Sequence, residues 1–190
     1  MRYCQNTENK ELFKGIVEID EVYIGGKRKG KYVYHKGKIV GYNKLKKGKG
    51  TKKDMVLGIV ERGKKGRSKT IVIKNNKFNT KIAAKIISKY VDIKNSKIMT
   101  DEYGVYNFLD KLTYHGIVKY SAKQYVDGQN HTNSIEGYWR KPKDSMRADF
   151  NYVGKQYLQS YFDEFDFKHN NRNLSGAEKF KKLISGVRCN

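Results

Sequence analysis

The sequence predicts an α/β domain, a mixed five-stranded sheet flanked by helices. Three observations carry that prediction. Strand-like apolar runs come first along the chain, and helix-spaced apolar segments then alternate with further short runs. The composition is also that of a chain with a core. Of 190 residues, 37% are hydrophobic and 13% aromatic, with a single proline. Those proportions argue against disorder even though 32% of residues are charged, because a disordered chain lacks the apolar surface needed to offset ordering. The length suits one domain rather than two.

Gly15 to Ile24, in GIVEIDEVYIGG, alternates and is rich in β-branched residues, which predicts the first strand. From Val22 to Lys53 the chain has twelve lysines and arginines but no acid, apart from Glu21 just before it, and seven glycines interrupt it. That segment reads as a long loop or an irregular hairpin. DMVLGIVERG and SKTIVIKNN predict the second and third strands, joined by a GKKG turn. NTKIAAKIISKYV has apolar residues at helical spacing behind an Asn or Thr cap and predicts a helix. SKIMTD is a short buried strand, YGVYNFLDKL a second helix, and HGIVKYS a fifth strand. From Asn133 the pattern is helical, broken near Pro142 and resumed from Val153 to Asn171. The order matches ribonuclease H-like folds, in which the first and fourth strands lie side by side. Residues 1–14 read as an extension, 15–175 as the domain and 176–190 as a tail.

The formal net charge is +22, which favours a polyanionic partner. The only cysteines, Cys4 and Cys189, stand at opposite ends, so neither a zinc cluster within this chain nor a disulfide framework is indicated. No apolar run approaches the roughly 20 residues that span a bilayer, and MRYCQNTENK is not a signal peptide. A cytoplasmic protein, associated with the nucleoid when bound to DNA, is the expectation.

Three acids stand where metal-dependent phosphodiester chemistry would need them. Asp20 interrupts the first strand, Asp101 ends the fourth, and Glu136 opens the helix in NHTNSIEGYW. Hard divalent ions prefer carboxylate oxygens over His or Cys. Each acid also has an ordinary structural alternative. Asp20 would be a strand-end acid bonded to a turn, and Asp101 and Glu136 would be acids placed at helix N-termini. Glu18, Glu21 and Glu102 flank the candidates and read as solvated or lysine-paired, although Glu18 shares a strand face with Asp20. Basic residues of the glycine-rich segment, Lys27, Arg28, Lys29, Lys31, Lys46 and Lys47, are candidate phosphate contacts, with Tyr32, Tyr34 and Tyr42 able to stack on bases. His131 reads as an auxiliary group at a phosphate or bound water, or as a capping residue. Trp139 reads as core beneath the site, and Tyr157, Leu158, Tyr161, Phe162 and Phe165 as core or subunit contacts.

VEIDEVYIGGK, VLGIVERG, TDEYGVYNFL, HTNSIEGYW and YLQSYFDEFDFKHNNR resemble, in order and spacing, the catalytic domain of ISXO-type insertion-sequence transposases, which are DDE enzymes of bacterial mobile elements. The resemblance runs from about Val17 to Asn173. It implies a ribonuclease H-like (retroviral-integrase-type) core, two Mg2+ ions (Mn2+ being able to replace them), and DNA cleavage and joining. It implies Asp20, Asp101 and Glu136 as the carboxylate triad. Asn133, one turn before Glu136, is an alternative or additional ligand, since some members carry Asn at the third position. Lys143 resembles the basic residue that contacts donor-end DNA in many DDE enzymes, and Arg147 joins it as a candidate contact. Partners would be transposon ends and target DNA, with a homo-oligomer as the active complex and no membrane. Relatives usually carry an N-terminal zinc ribbon and a DNA-recognition region, and this sequence starts almost at the catalytic motifs, as a truncated or split reading frame would. They also have an aliphatic pair where this chain has RKPKDS. A catalytically inactive DNA-binding remnant and a ribonuclease H-like nuclease are the competing functions. Arg172 matches the family pattern without a role that the sequence supplies.

Overall fold

The computed structural model describes residues 11–25, 31–43, 53–73, 77–118, 131–148 and 153–185. Its strands are β1 (Phe13–Ile24), β2 (Lys31–His35), β3 (Lys38–Asn43), β4 (Asp54–Glu61), β5 (Ser68–Ile73), β6 (Val91–Asp101) and β7 (Tyr114–Val118). Its helices are α1 (Thr80–Tyr90), α2 (Asn133–Ala148), α3 (Leu158–Asn170) and α4 (Gly176–Ser185), with a 3-10 helix at Gly104–Lys111 and a 3-10 turn at Lys155–Tyr157. The main sheet has five strands in the order β5-β4-β1-β6-β7. β4 pairs antiparallel with β1 and β5, whereas β6 runs parallel to β1 and β7 parallel to β6. This is the mixed α/β sheet of a ribonuclease H-like fold, with the first strand central. Among the described residues no helix is long and apolar enough to cross a membrane.

Strand alternation sorts the core into two layers. On β4, Met55, Leu57 and Ile59 join Val17, Ile19, Ile87, Tyr106 and Leu109 on one face of the sheet. Val56 and Val60 join Ile135, Tyr138, Trp139, Leu158 and Phe162 on the other. β4 is therefore apolar without a break, as a strand covered on both sides must be. Asn79 caps α1 by accepting the Ile82 N–H at 3.0 Å.

Two expectations need correction. The stretch after Asp101 forms a 3-10 helix, not an α-helix. Its two fully buried side chains, Tyr106 and Leu109, are three residues apart and so align along a threefold helix. α2 is also continuous through Pro142 rather than broken there. Proline removes the bond to the Tyr138 carbonyl, but Ile135, Tyr138 and Trp139 bury one face of the helix and hold it across that gap.

The basic segment contains a hairpin, β2–β3, as its own two-stranded sheet. Lys36 and Gly37 both have positive φ, 44° and 77°, the turn geometry that suits the twist of a two-residue hairpin. Val33, Tyr34, Ile39 and Val40 are exposed on it. Lys27, Arg28, Lys29, Lys46 and Lys47 lie outside the described residues. Lys31, Tyr32 and Tyr42 lie in the hairpin and Arg147 in α2, but their side chains are not among those described.

Polar side chains fasten the second layer. Asp166 of α3 is buried and accepts bonds from Ser68 Oγ (2.8 Å), Thr70 N (2.7 Å), Thr70 Oγ1 (2.7 Å) and Tyr138 Oη (2.7 Å). It thereby ties α3 to β5 and to α2. Arg172 has a structural role that the sequence did not supply. Its guanidinium donates to the carbonyls of Gly66, His169 and Lys64 at 2.8, 2.9 and 2.6 Å, clamping the β4–β5 turn to the end of α3.

Candidate active site

β1 and β6 are parallel neighbours with Glu18 beside Met99, and continuing that register brings Asp20 alongside Asp101. Asp101 is the last residue of β6. Its Oδ1 accepts the Tyr103 N–H at 3.1 Å, which turns the chain directly after the acid. Behind it, Thr100 Oγ1 donates to the Asp101 carbonyl at 2.8 Å and lies 2.8 Å from His115 Nε2, whose Nδ1 is 2.6 Å from Asp110. The strand end that presents Asp101 is thus braced from β7 and the 3-10 helix.

Asp20 points to the α2 face of β1. Its Oδ2 accepts the indole N–H of Trp139 at 3.0 Å. The close approach of that indole depends on Gly58, which pairs with Asp20 across β1 and β4. A Cβ on Gly58 would stand 2.5 Å from Trp139 Cζ2, a distance no side chain tolerates. Burial, then the neighbouring charge of Asp101, push the Asp20 carboxyl up to about 6, against the Glu21 backbone bond, the Trp139 bond and the more distant Lys143. Burial also raises Asp101, with Glu102 adding to the shift and the Tyr103 N–H opposing it.

Asp20, Glu21 and Asp101 each bring one carboxylate oxygen to within 4.8 Å of the others. Glu21, a solvated or lysine-paired flank by its sequence, is a member of this cluster. Its Oε2 accepts the hydroxyl of the fully buried Tyr106 at 2.9 Å. The neighbouring charge on Glu21, after burial itself, raises Tyr106 well above an ordinary phenol. A hydrophobic tyrosine in the 3-10 helix gave no sequence signal for this contact.

α2 supplies the opposite wall. Asn133, Glu136, Gly137, Arg140, Lys143 and Asp144 line, with Asp20 and Trp139, an open cleft of about 670 Å³. Their spacing is that of one helix face, so Pro142 does not turn Lys143 away from Glu136. Glu136 is exposed and receives a bond from Thr132 Oγ1 at 3.4 Å. It faces the cleft but is not among the three clustered oxygens.

Glu18 departs from its expected role, and His131 takes the capping alternative rather than a place at a phosphate. Glu18 is fully buried, not solvated. Its partner is Arg62, whose Nε donates to Oε1 at 2.5 Å, and its Oε2 accepts the Ile135 N–H at 2.8 Å. His131 sits behind the site: its Nδ1 is 3.6 Å from Glu18 Oε1 and 3.4 Å from the Asn133 nitrogen, and its carbonyl accepts from Arg62 at 2.5 Å. Strand alternation placed Glu18 on the Asp20 face, but nothing in the sequence showed that the start of α2 would land on it.

The donor set fits a hard divalent cation. Three carboxylate oxygens crowd together; burial holds both Asp20 and Asp101 above their usual range, helped at Asp20 by the Asp101 charge and at Asp101 by Glu102. A bound cation relieves that crowding of charge, and oxygen-only donors suit magnesium, manganese or calcium. No curated protein and no solved structure matches this chain. A family model does match residues 12–170, and by that match the chain belongs to the family of ISXO2-like transposase domains.

Proposed function

We propose that this domain cleaves DNA at transposon ends and joins the freed 3′-hydroxyl to target DNA, using Asp20, Asp101 and Glu136 as its acids. One observation carries the reading: acids from two parallel neighbouring strands converge, and burial and then the Asp101 charge raise Asp20 to about 6. Membership of a transposase family supports the reaction class.

Two magnesium ions, which manganese can replace, would activate the attacking water or 3′-hydroxyl and stabilise the leaving oxygen. Asp20 and Asp101 would hold them, with Glu136 or Asn133 contributing from α2. Trp139 donates to Asp20 Oδ2 and holds that carboxylate at the α2 wall of the cleft. Lys143 and Arg140 line the same cleft and would meet the phosphates of an incoming end. The net charge of +22 and the lysines of the hairpin segment would hold the flanking duplex through its backbone, without reading sequence. His131 would act behind the site rather than on a phosphate. Bringing two ends together calls for a homo-oligomer.

The test is magnesium-dependent strand transfer of a labelled, pre-cleaved end oligonucleotide by wild type, Asp20→Ala and Glu136→Ala. Wild type is expected to form product and Asp20→Ala none. Equal product from the two would end the enzymatic reading. Salt-sensitive DNA binding should persist in all three, because the lysines supply it.

A further inference from the structure

We infer that Glu18 is a positioning residue, which fixes the axial placement of α2 and so the stance of Glu136 and Asn133 toward Asp20; the inference rests on the function proposed above. Glu18 and Asp20 are two residues apart on β1 and share its α2 face. The Glu18 side chain is fully buried, a placement that a carboxylate tolerates only when paired and hydrogen-bonded.

Both of its oxygens are engaged. Oε1 takes the Arg62 Nε–H at 2.5 Å, and Oε2 takes the Ile135 N–H at 2.8 Å. Ile135 is the third residue of α2. Its N–H is the donor that a capping side chain from the preceding turn ordinarily satisfies. Here the acceptor comes from a strand 117 residues away in sequence, and Thr132, in the usual capping position, bonds Glu136 instead. Arg62 closes the device, since its Nη2 donates to the His131 carbonyl at 2.5 Å. One guanidinium thus bridges the carboxylate on β1 and the chain entering α2. A negative charge at a helix N-terminus is favourable in itself.

Tyr138 and Trp139 hold the middle of α2 through their bonds to Asp166 and Asp20. The Ile135 N–H held by Glu18 is the matching fixed point in the first turn. Ile135 stands between Asn133 and Glu136, so holding its nitrogen holds both side chains within a residue or two of the fixed point.

The experiment compares wild type, Glu18→Gln and Arg62→Lys in the strand-transfer assay at saturating DNA and magnesium. DNA affinity and backbone hydrogen exchange in the first turn of α2 are measured alongside. Glu18→Gln keeps the shape and an acceptor but breaks the charge pair. It is expected to lose about 10–100-fold in rate, the range for residues that orient metal ligands. DNA affinity should stay within about twofold, and exchange should accelerate in the first turn of α2 but not in β4. Arg62→Lys keeps the charge but loses the fork to His131, and should fall between the two. Wild-type rate and exchange in Glu18→Gln overturn the positioning role alone. Rate loss accompanied by equally faster exchange in β4 also overturns it, since the effect is then global instability. No strand transfer by wild type overturns the function and this role with it, whatever the exchange shows.

Discussion

Replacing Asp20 by Asn should stabilise the metal-free protein at neutral pH. The Asp20 carboxyl titrates at about 6 in the fold against 3.8 as a free side chain, because burial and then the Asp101 charge disfavour its ionised form. Between those values the folded state holds a proton that the unfolded chain has released, so stability falls as pH rises through the window. Above about pH 6 the loss is complete. A shift of about two units corresponds to roughly 3 kcal/mol. Part of the residue is open to water, and discounting for that leaves about 2 kcal/mol. Asn keeps the shape and can accept the Trp139 N–H, but it carries no charge to desolvate.

The assay is urea unfolding in a chelator at pH 4 and pH 7, followed by the fluorescence of Trp139, the only tryptophan. Asp20→Asn should exceed wild type by about 2 kcal/mol at pH 7 and by little at pH 4. Magnesium should then close or reverse the gap, since a ligand of the folded state stabilises only the protein that binds it. An Asn variant weaker than wild type at pH 7, or an advantage equal at both pH values, would refute the reasoning.

Three other perturbations have defined outcomes. Gly58→Ala places a methyl 2.5 Å from Trp139 and should cost about 1–3 kcal/mol by overpacking, with a shift in tryptophan emission, both read in one unfolding series. Asp166→Ala removes the acceptor shared by the hydroxyls of Ser68, Thr70 and Tyr138 and by the Thr70 N–H. It should cost at least about 3 kcal/mol, whereas Tyr138→Phe, which removes one donor of four, should cost about 1 kcal/mol. Manganese should quench Trp139 emission in wild type, because the indole bonds the acid proposed to hold the ion. Titration of Asp20→Ala should leave that emission nearly unchanged, and equal quenching in both proteins would remove the metal from Asp20.

Asp20 and Asp101 were legible because each is an acid inside or at the end of an apolar strand pattern, and the element order makes those strands neighbours. Their partners were not. The Trp139 bond depends on a glycine on β4 opposite Asp20, and that opposition is a matter of strand register. Arg62 reaches Glu18 because β4 runs antiparallel with Val60 opposite Glu18, which residue types alone do not fix. Pro142 misled because local propensity disfavours it in a helix interior by about 3 kcal/mol, while the buried face of α2 outweighs that. The 3-10 helix was misread for a similar reason. Apolar spacing at three and four residues suits either helix, and burial of Tyr106 with Leu109 selected the tighter one.

β1 carries three acids within four residues, and the fold treats each differently. Glu18 is buried but neutralised by the Arg62 guanidinium. Glu21 points to the other face and takes a neutral hydroxyl from Tyr106. Asp20, between them, takes only neutral donors, the Glu21 backbone N–H and the Trp139 indole N–H, and Lys143 is the smallest of the influences on its charge. An arginine placed on Asp20 would relieve its strain and occupy the oxygens a metal needs. The Glu18–Arg62 pair instead puts the full counter-charge two residues away, where it anchors α2 without quenching the site. That division predicts different outcomes for two neutralising changes on one strand. Asp20→Asn should stabilise the whole fold and lose function, whereas Glu18→Gln, which removes the charge paired with Arg62, should loosen only the first turn of α2 and lose function with it.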